Sequence, residues 1–214
     1  FGATIGFDDV THKGITNIST DDVAVAQELG YVIKLVGDVR EVESGISAEV
    51  SPTFLPKNHP LASVNDVMNA VFVESIGIGE SMYYGPGAGQ KPTATSVLAD
   101  IIRIARRLSD GNVGKPFNEF RRDLPLANPA DVKSNYYFAL DTPDEKGKIL
   151  HLSEIFNSED ISFEQVLQQK ANGTTARIVV ITHAMSKTQL KAVTEKLEAA
   201  EDFTVVNTLK VLSN

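Results

Sequence analysis

The sequence predicts a mixed α+β chain. A β-rich segment with helices covers residues 1–108, and a ferredoxin-like βαββαβ module covers 135–214. Three observations predict it. Short β-branched and apolar runs alternate with capped helical stretches in the first half. Residues 109–134 break that pattern with Gly111, Gly114, Pro116, Pro125 and Pro129, the composition of a connector. The remainder reads strand, helix, strand, strand, helix, strand. With 214 residues, 42% of them hydrophobic and 22% charged, the chain has the apolar fraction a core needs.

Each element has local grounds. Ser19 or Thr20 caps a helix that runs through Leu29, Asp21 and Asp22 complement its dipole, and Gly30 ends it. Residues 31–36 read as a strand, and so do 46–55, where Pro52 marks an edge or a strand end. Residues 69–75 read as extended and buried. Gly85-Pro86-Gly87-Ala88-Gly89 is a tight turn. Over 92–108, Val97, Leu98, Ile101, Ile102, Ala105 and Leu108 form one helical stripe, with Arg103, Arg106 and Arg107 in the C-terminal half.

In the last module the strands are 136–141, 161–169, 176–183 and 203–212. A helix over 147–156 turns Ile149, Leu152, Ile155 and Phe156 inward. Asn172-Gly173 is a hairpin signal, since both residues tolerate positive φ. Ser186 and Gln189 make a capping box, and the helix behind it buries Leu190, Val193 and Leu197.

Much chemistry is excluded. The chain has no Cys, hence no disulfide, thiolate metal site or Cys nucleophile. His12, His59, His151 and His183 are scattered without metal-ligand spacing, so no metal site is expected. Asp8-Asp9 and Asp21-Asp22 read as a turn and a helix's first turn, Lys34 as an outward residue of a half-exposed strand, and His183 as a strand tip. Two sequons, Asn17-Ile18-Ser19 and Asn172-Gly173-Thr174, carry little meaning without a secretory leader. A net charge of −8 argues against a nucleic-acid surface. No apolar run approaches the roughly 20 residues of a membrane span. A cytoplasmic home fits. The chain starts at Phe1, most simply because it is cut from a longer protein.

Two places can meet a ligand. The Gly85–Gly89 turn opens a helix, where backbone N–H groups attract phosphate. Its spacing is not G-x-G-x-x-G, and on mechanics alone a structural turn is the stronger reading. The turn from Thr142 to Gly147 also precedes a helix, whose free N–H groups are able to hold a small carboxylate. Asp144 can instead be simply that helix's N-cap.

The residues then become familiar. Residues 1–108 resemble the later part of the catalytic domain of homoserine dehydrogenase. The resemblance runs through Gly14-Ile15-Thr16, Asp21, Ala26-Gln27-Glu28-Leu29-Gly30-Tyr31, Ile33-Lys34-Leu35, His59-Pro60-Leu61-Ala62, Asn69-Ala70-Val71, Tyr84-Gly85-Pro86-Gly87-Ala88-Gly89, Pro92-Thr93-Ala94 and Asp100. Residues 135–212 resemble an ACT domain through Leu140-Asp141, Gly147-Lys148-Ile149-Leu150, Ile161-Ser162-Phe163 and Val166-Leu167-Gln168. Lys146 departs from that pattern, which usually has Pro before the Gly.

The resemblance implies NAD(P)-dependent interconversion of homoserine and aspartate semialdehyde. It puts the nucleotide-binding domain and the catalytic residues upstream of residue 1. No catalytic residue is therefore expected here, and the isolated chain should be inactive with no cofactor bound. It carries over Gly89 as a cofactor contact, and Asp144, Gly147, Ile149 and Gln168 as effector contacts. Threonine is the implied effector, and a homodimer or higher homo-oligomer the implied assembly. Two alternatives remain: a stand-alone amino-acid-binding module, and a dimerisation scaffold built on residues 31–84.

Overall fold

The computed structural model describes residues 1–111, 122–170 and 175–212. The Asn172-Gly173 hairpin signal, the second sequon, and Gly114 and Pro116 of the connector lie outside the described residues. The elements in chain order are β1 (Thr11–His12), α1 (Thr20–Glu28), β2 (Tyr31–Val42), β3 (Gly45–Pro56), β4 (Met68–Ser75), β5 (Gly79–Pro86), α2 (Gln90–Ser109), β6 (Lys133–Pro143), α3 (Lys148–Asn157), β7 (Phe163–Lys170), β8 (Thr175–Thr182), β9 (Met185–Ser186), α4 (Lys187–Ala199) and β10 (Thr204–Val211). They fall into two compact units, one from residues 3–57 with those described from 122 onward, the other from those described within 58–121. Compactness thus divides the chain near 57 and 122, whereas composition divides it near 108 and 135.

The first unit is one mixed sheet. Strands β10, β6, β8 and β7 lie side by side, all antiparallel, and α3 and α4 supply the two crossovers. This is the order expected of a βαββαβ module. The sheet continues beyond it, because β3 pairs in parallel with β10 at Thr53 and Phe54, and along its whole length with β2. Pro52 therefore sits inside a strand rather than at its end. On the side of β3 away from β2, β1 pairs only at Glu49 and Val50, and β10 only from Thr53. Pro52 occupies the gap between them, where one side of the strand is locally an edge and a missing N–H costs little.

Strand alternation gives the sheet two apolar faces. On one, Phe138, Leu140, Ile178 and Val180 meet Leu152 and Phe156 of α3 and Val193 and Leu197 of α4. On the other, Tyr137, Ala139, Val179, Ile181 and Leu209 meet Val25 and Ala26 of α1 and Phe54 of β3. The Phe54 ring stacks on Tyr137 at 4.5 Å. Ile149 corrects the inward stripe expected of α3, for it is 41% exposed.

Polar groups pin α1 to the sheet. Ser19 and Asp22 form a capping box at its start. Asp22 is also buried and reaches further. Its Oδ1 accepts from the Tyr137 hydroxyl at 2.8 Å, and its Oδ2 from Asn207 Nδ2 at 3.0 Å. Burial pushes the Asp22 carboxyl up, but the donors from Ser19, Asn207 and Tyr137 outweigh it and hold the group below its ordinary value. Tyr137→Phe leaves Oδ1 one donor short in a dry site. That substitution is expected to cost about 1–2 kcal/mol, read as a lower urea midpoint at unchanged m-value.

A second polar cluster lies between β2, β3 and β10. Lys210, 6% exposed, donates to both Asp38 and Glu49. Lys187 reaches Glu49 at 2.7 Å, and Arg40 reaches Asp38 at 2.8 Å. Burial pushes both carboxyls up, yet the Lys210 ammonium beside them, with Arg40 and Lys187, holds both below their ordinary values. A lowered carboxylate value adds stability that is complete above the unfolded value and is lost as pH falls through the folded one. With Asp22, Asp38 and Glu49 all lowered, Tm should stay level from about pH 7 to 5 and drop steeply below about pH 4. A Tm that falls already at pH 6 would point to other groups.

The second unit holds the β4–β5 hairpin, with Met68 opposite Pro86 and Ser75 opposite Gly79, and helix α2. Residues 69–75 are extended as expected but not buried. Val71 and Val73 are exposed, on a strand with one partner in a two-stranded sheet. The α2 stripe of Val97, Leu98, Ile101, Ile102 and Leu108 is likewise exposed. No described helix is long and apolar enough to cross a membrane.

Candidate functional site

The Gly-rich turn of the second unit holds three glycines, two of which the local structure requires. Gly85 is the last but one residue of β5 and faces Asn69 across the hairpin. A Cβ there would meet nothing within 4 Å. Gly87 is fixed by close approach, since a Cβ would come within 1.7 Å of Asn69 Nδ2. Its N–H donates to the Val67 carbonyl at 2.9 Å. Gly89 is fixed by conformation, with φ 124° and ψ 151°, a region that L side chains rarely enter.

Gly89 is also the N-cap of α2, a helix of 20 residues, and no side chain caps it. The first turn carries no acidic residue. It carries Lys91 instead, a cation at the end that the dipole makes positive. An exposed, uncapped N-terminus with a lysine beside it and open space over Gly85 suits an anion such as a phosphate. The residues present therefore fit the pyrophosphate of a nicotinamide dinucleotide. Gln90 and Lys91 would offer backbone N–H groups, while Pro92 has none to give.

Under the other face of the hairpin His59 packs against Phe72, ring centroids 4.9 Å apart. Its Nδ1 accepts from Leu61 N at 3.2 Å. Burial holds the imidazole below its ordinary value, with Glu80 pulling the other way. His59 is thus a neutral brace for the turn at 59–62.

The second place is the loop from Pro143 to Gly147 in the first unit. Asp144 is exposed and does not cap α3; Gly147 does, with φ 91° and no side-chain cap. Asp144 fails as a cap because the chain makes a further turn, Glu145 N donating to the Pro143 carbonyl at 2.8 Å, before the helix begins. Ile149 is exposed on the first turn of α3, and Gln168 is exposed on β7, in register with Ile178 of β8. Beside the loop, Thr142 is 2% exposed, and its Oγ1 has no hydrogen-bond partner among the described residues. Thr142 lies on the α3–α4 face by alternation with Phe138 and Leu140. Such an orphan is uncommon, and nothing in the run Leu140-Asp141-Thr142 signals it.

The remaining polar residues gather into structure rather than chemistry. Asp8 and Asp9 are exposed in a short 3₁₀ turn, and His12 and His183 are exposed. Lys148 and His151 share Asp202, at 3.2 and 3.1 Å. Among the described residues no group of His, Asp and Glu is arranged to hold a metal ion.

Known proteins point one way. Residues 1–102 match the family model for homoserine dehydrogenase. The homoserine dehydrogenase of Lactococcus lactis is 58% identical over the whole chain, which covers 50% of that protein. That of Corynebacterium glutamicum is 36% identical, with 98% of this chain and 48% of that protein aligned. The crystal structure of a homoserine dehydrogenase from Thiobacillus denitrificans superposes with a TM-score of 0.90 at 29% identity, over the whole of this chain and 50% of that one. The chain spans about half the length of the relatives it matches, and it belongs to the homoserine dehydrogenase family.

Proposed function

We propose that this chain is the part of a homoserine dehydrogenase that carries one wall of the cofactor site and a regulatory module. The whole protein would interconvert homoserine and aspartate semialdehyde with NAD(P), as a homodimer or higher homo-oligomer in the cytoplasm. The observation that carries the reading is Gly89, left-handed at the uncapped start of α2 in a family that oxidises and reduces. When bound, the nicotinamide cofactor would carry the hydride, giving it to aspartate semialdehyde in its reduced form and taking it from homoserine in its oxidised form. This chain's own residues would hold its phosphates with backbone N–H groups and leave Gly85 bare for close approach. Without the rest of the protein, neither substrate nor nicotinamide is positioned, so the chain alone should not turn over.

The test joins residue 1 to the upstream half and follows NADPH and NADH oxidation with aspartate semialdehyde. Activity in the joined protein and none in this chain is the expected result. An inactive joined protein that is folded would overturn the reading.

A second role is favoured by the βαββαβ order and by the orphaned Thr142 Oγ1 at the end of the strand that leads to an uncapped helix start. Residues 135–214 would form an ACT domain that binds an amino-acid effector, threonine first, near Asp144, Gly147, Ile149 and Gln168. Binding a ligand only in the folded state raises stability. Threonine at millimolar concentration should therefore raise Tm and titrate saturably by calorimetry. If neither threonine nor another amino acid of the same pathway does so, in this chain or in the joined protein, the effector role fails.

A further inference from the structure

We infer that Asn69 is a positioning residue for the cofactor turn, its carboxamide bracing Gly87 and so setting the direction of Gly89 and the first N–H groups of α2. The inference rests on the reading of Gly89 as a cofactor contact and goes one residue further back. Asn69 lies on β4, directly across from Gly85. Because Gly85 has no side chain, the ordinary cross-strand neighbour of Asn69 is missing. The Asn69 side chain leans diagonally to Gly87 instead, where its Nδ2, Cγ and Oδ1 would lie 1.7, 2.3 and 2.9 Å from an added Cβ.

Gly87 has no need of a glycine's backbone freedom, since it is not among the glycines with positive φ. The three nearest atoms that a side chain there would meet all belong to Asn69. The Gly87 N–H is held by the Val67 carbonyl at 2.9 Å, and the Asn69 carboxamide occupies the space where a Gly87 side chain would stand, so the turn has backbone on one side and a packed carboxamide on the other. Gly89 follows two residues later and opens α2. Any play at Gly87 would swing the donors that face the phosphates, and displacements of about 1 Å are costly where groups must converge on a ligand. Asn69 itself is exposed and makes little core contact, so its loss should be felt in binding rather than in folding.

The experiment uses the full-length dehydrogenase and measures the Kd of the reduced cofactor by its fluorescence, with NADPH or NADH, whichever the unaltered protein binds. Asn69→Ala should weaken binding about tenfold, the size of one backbone donor that no longer meets the phosphate, with Tm and the KM for aspartate semialdehyde unchanged. Gly87→Ala should weaken it similarly, because the new methyl evicts Asn69. The pair Asn69→Ala with Gly87→Ala should then be no worse than the weaker single variant, since the methyl has nothing left to displace. Unchanged cofactor binding in Asn69→Ala, or losses that simply add in the pair, would overturn the inference. Gly89→Val runs alongside as the check on the underlying reading. If Gly89→Val binds cofactor normally, the cofactor site itself is misplaced; if Gly89→Val fails to bind while Asn69→Ala does not change, only the role of Asn69 is lost.

Discussion

Lys210→Met is expected to cost about 3 kcal/mol at pH 7, the largest loss of any single charged residue in the first unit. Methionine keeps most of the stem and removes only the ammonium. What remains is two carboxylates, Asp38 and Glu49, that lose their shared buried cation and keep only Arg40 and Lys187. Their side chains are 22% and 11% exposed, so solvent relieves part of the penalty, and the expected loss sits at the low end for a broken buried pair. The pH dependence has a definite sign. Lys210 stabilises the fold by holding both carboxylates ionised. That contribution vanishes once they are protonated, so the gap between variant and parent should narrow as pH falls below about 4. Lys191→Met is the control, because the Lys191–Glu195 pair is 3.8 Å apart with the lysine side chain 79% exposed. It should change stability by less than about 0.5 kcal/mol. If Lys210→Met unfolds in urea like that control, the cluster is decoration rather than a clamp between β2, β3 and β10.

Such a clamp shows what kind of feature can be read from sequence. Local devices were legible. The cap at Ser19 or Thr20, which the structure gives to Ser19, the capping box of Ser186 with Gln189, the βαββαβ order and the Gly-rich turn before a helix all stand where spacing puts them, because each is settled within a few residues. What local spacing does not show is a partner far along the chain. Asp22 is the first-turn carboxylate that the sequence predicts, and its other oxygen is held by Tyr137, 115 residues away. Lys210 is the one charged residue of β10, and only the fold brings Asp38, 172 residues away, to it. Pro52 read as an edge, and it is one for only two residues, a gap set by where β1 stops and β10 starts. In the candidate site, the glycine of the turn was visible, but not which glycine answers to φ and which to Asn69. Residues 69–75 read as buried and the α2 residues as one apolar stripe, yet Val71 and most of that stripe are exposed. Periodicity reports that a face is apolar, not that this chain covers it.

The same principle predicts how the βαββαβ module behaves when cut out. Residues 135–214 expressed alone should not give a well-packed monomer. One face of that sheet keeps α3 and α4, but the other is covered by α1 and Phe54, which the cut removes. Tyr137, Ala139, Val179, Ile181, Leu209 and Val211, none more than 2% exposed in the chain, would then line one bare surface. A contiguous apolar patch of several such side chains exceeds what soluble monomers ordinarily expose. The strand β10 would lose its parallel neighbour β3 as well, and so gain a free edge. The fragment should therefore self-associate in sedimentation, or bind ANS and lose near-UV dichroism as loosely packed chains do. Phe54→Ala in the intact chain probes the same surface from the other side. It removes a fully buried ring from between Tyr31 and Tyr137, and is expected to cost about 4 kcal/mol. A fragment that instead melts cooperatively as a monomer, with Phe54→Ala costing under about 1 kcal/mol, would make the covered face dispensable and residues 135–214 a self-sufficient domain.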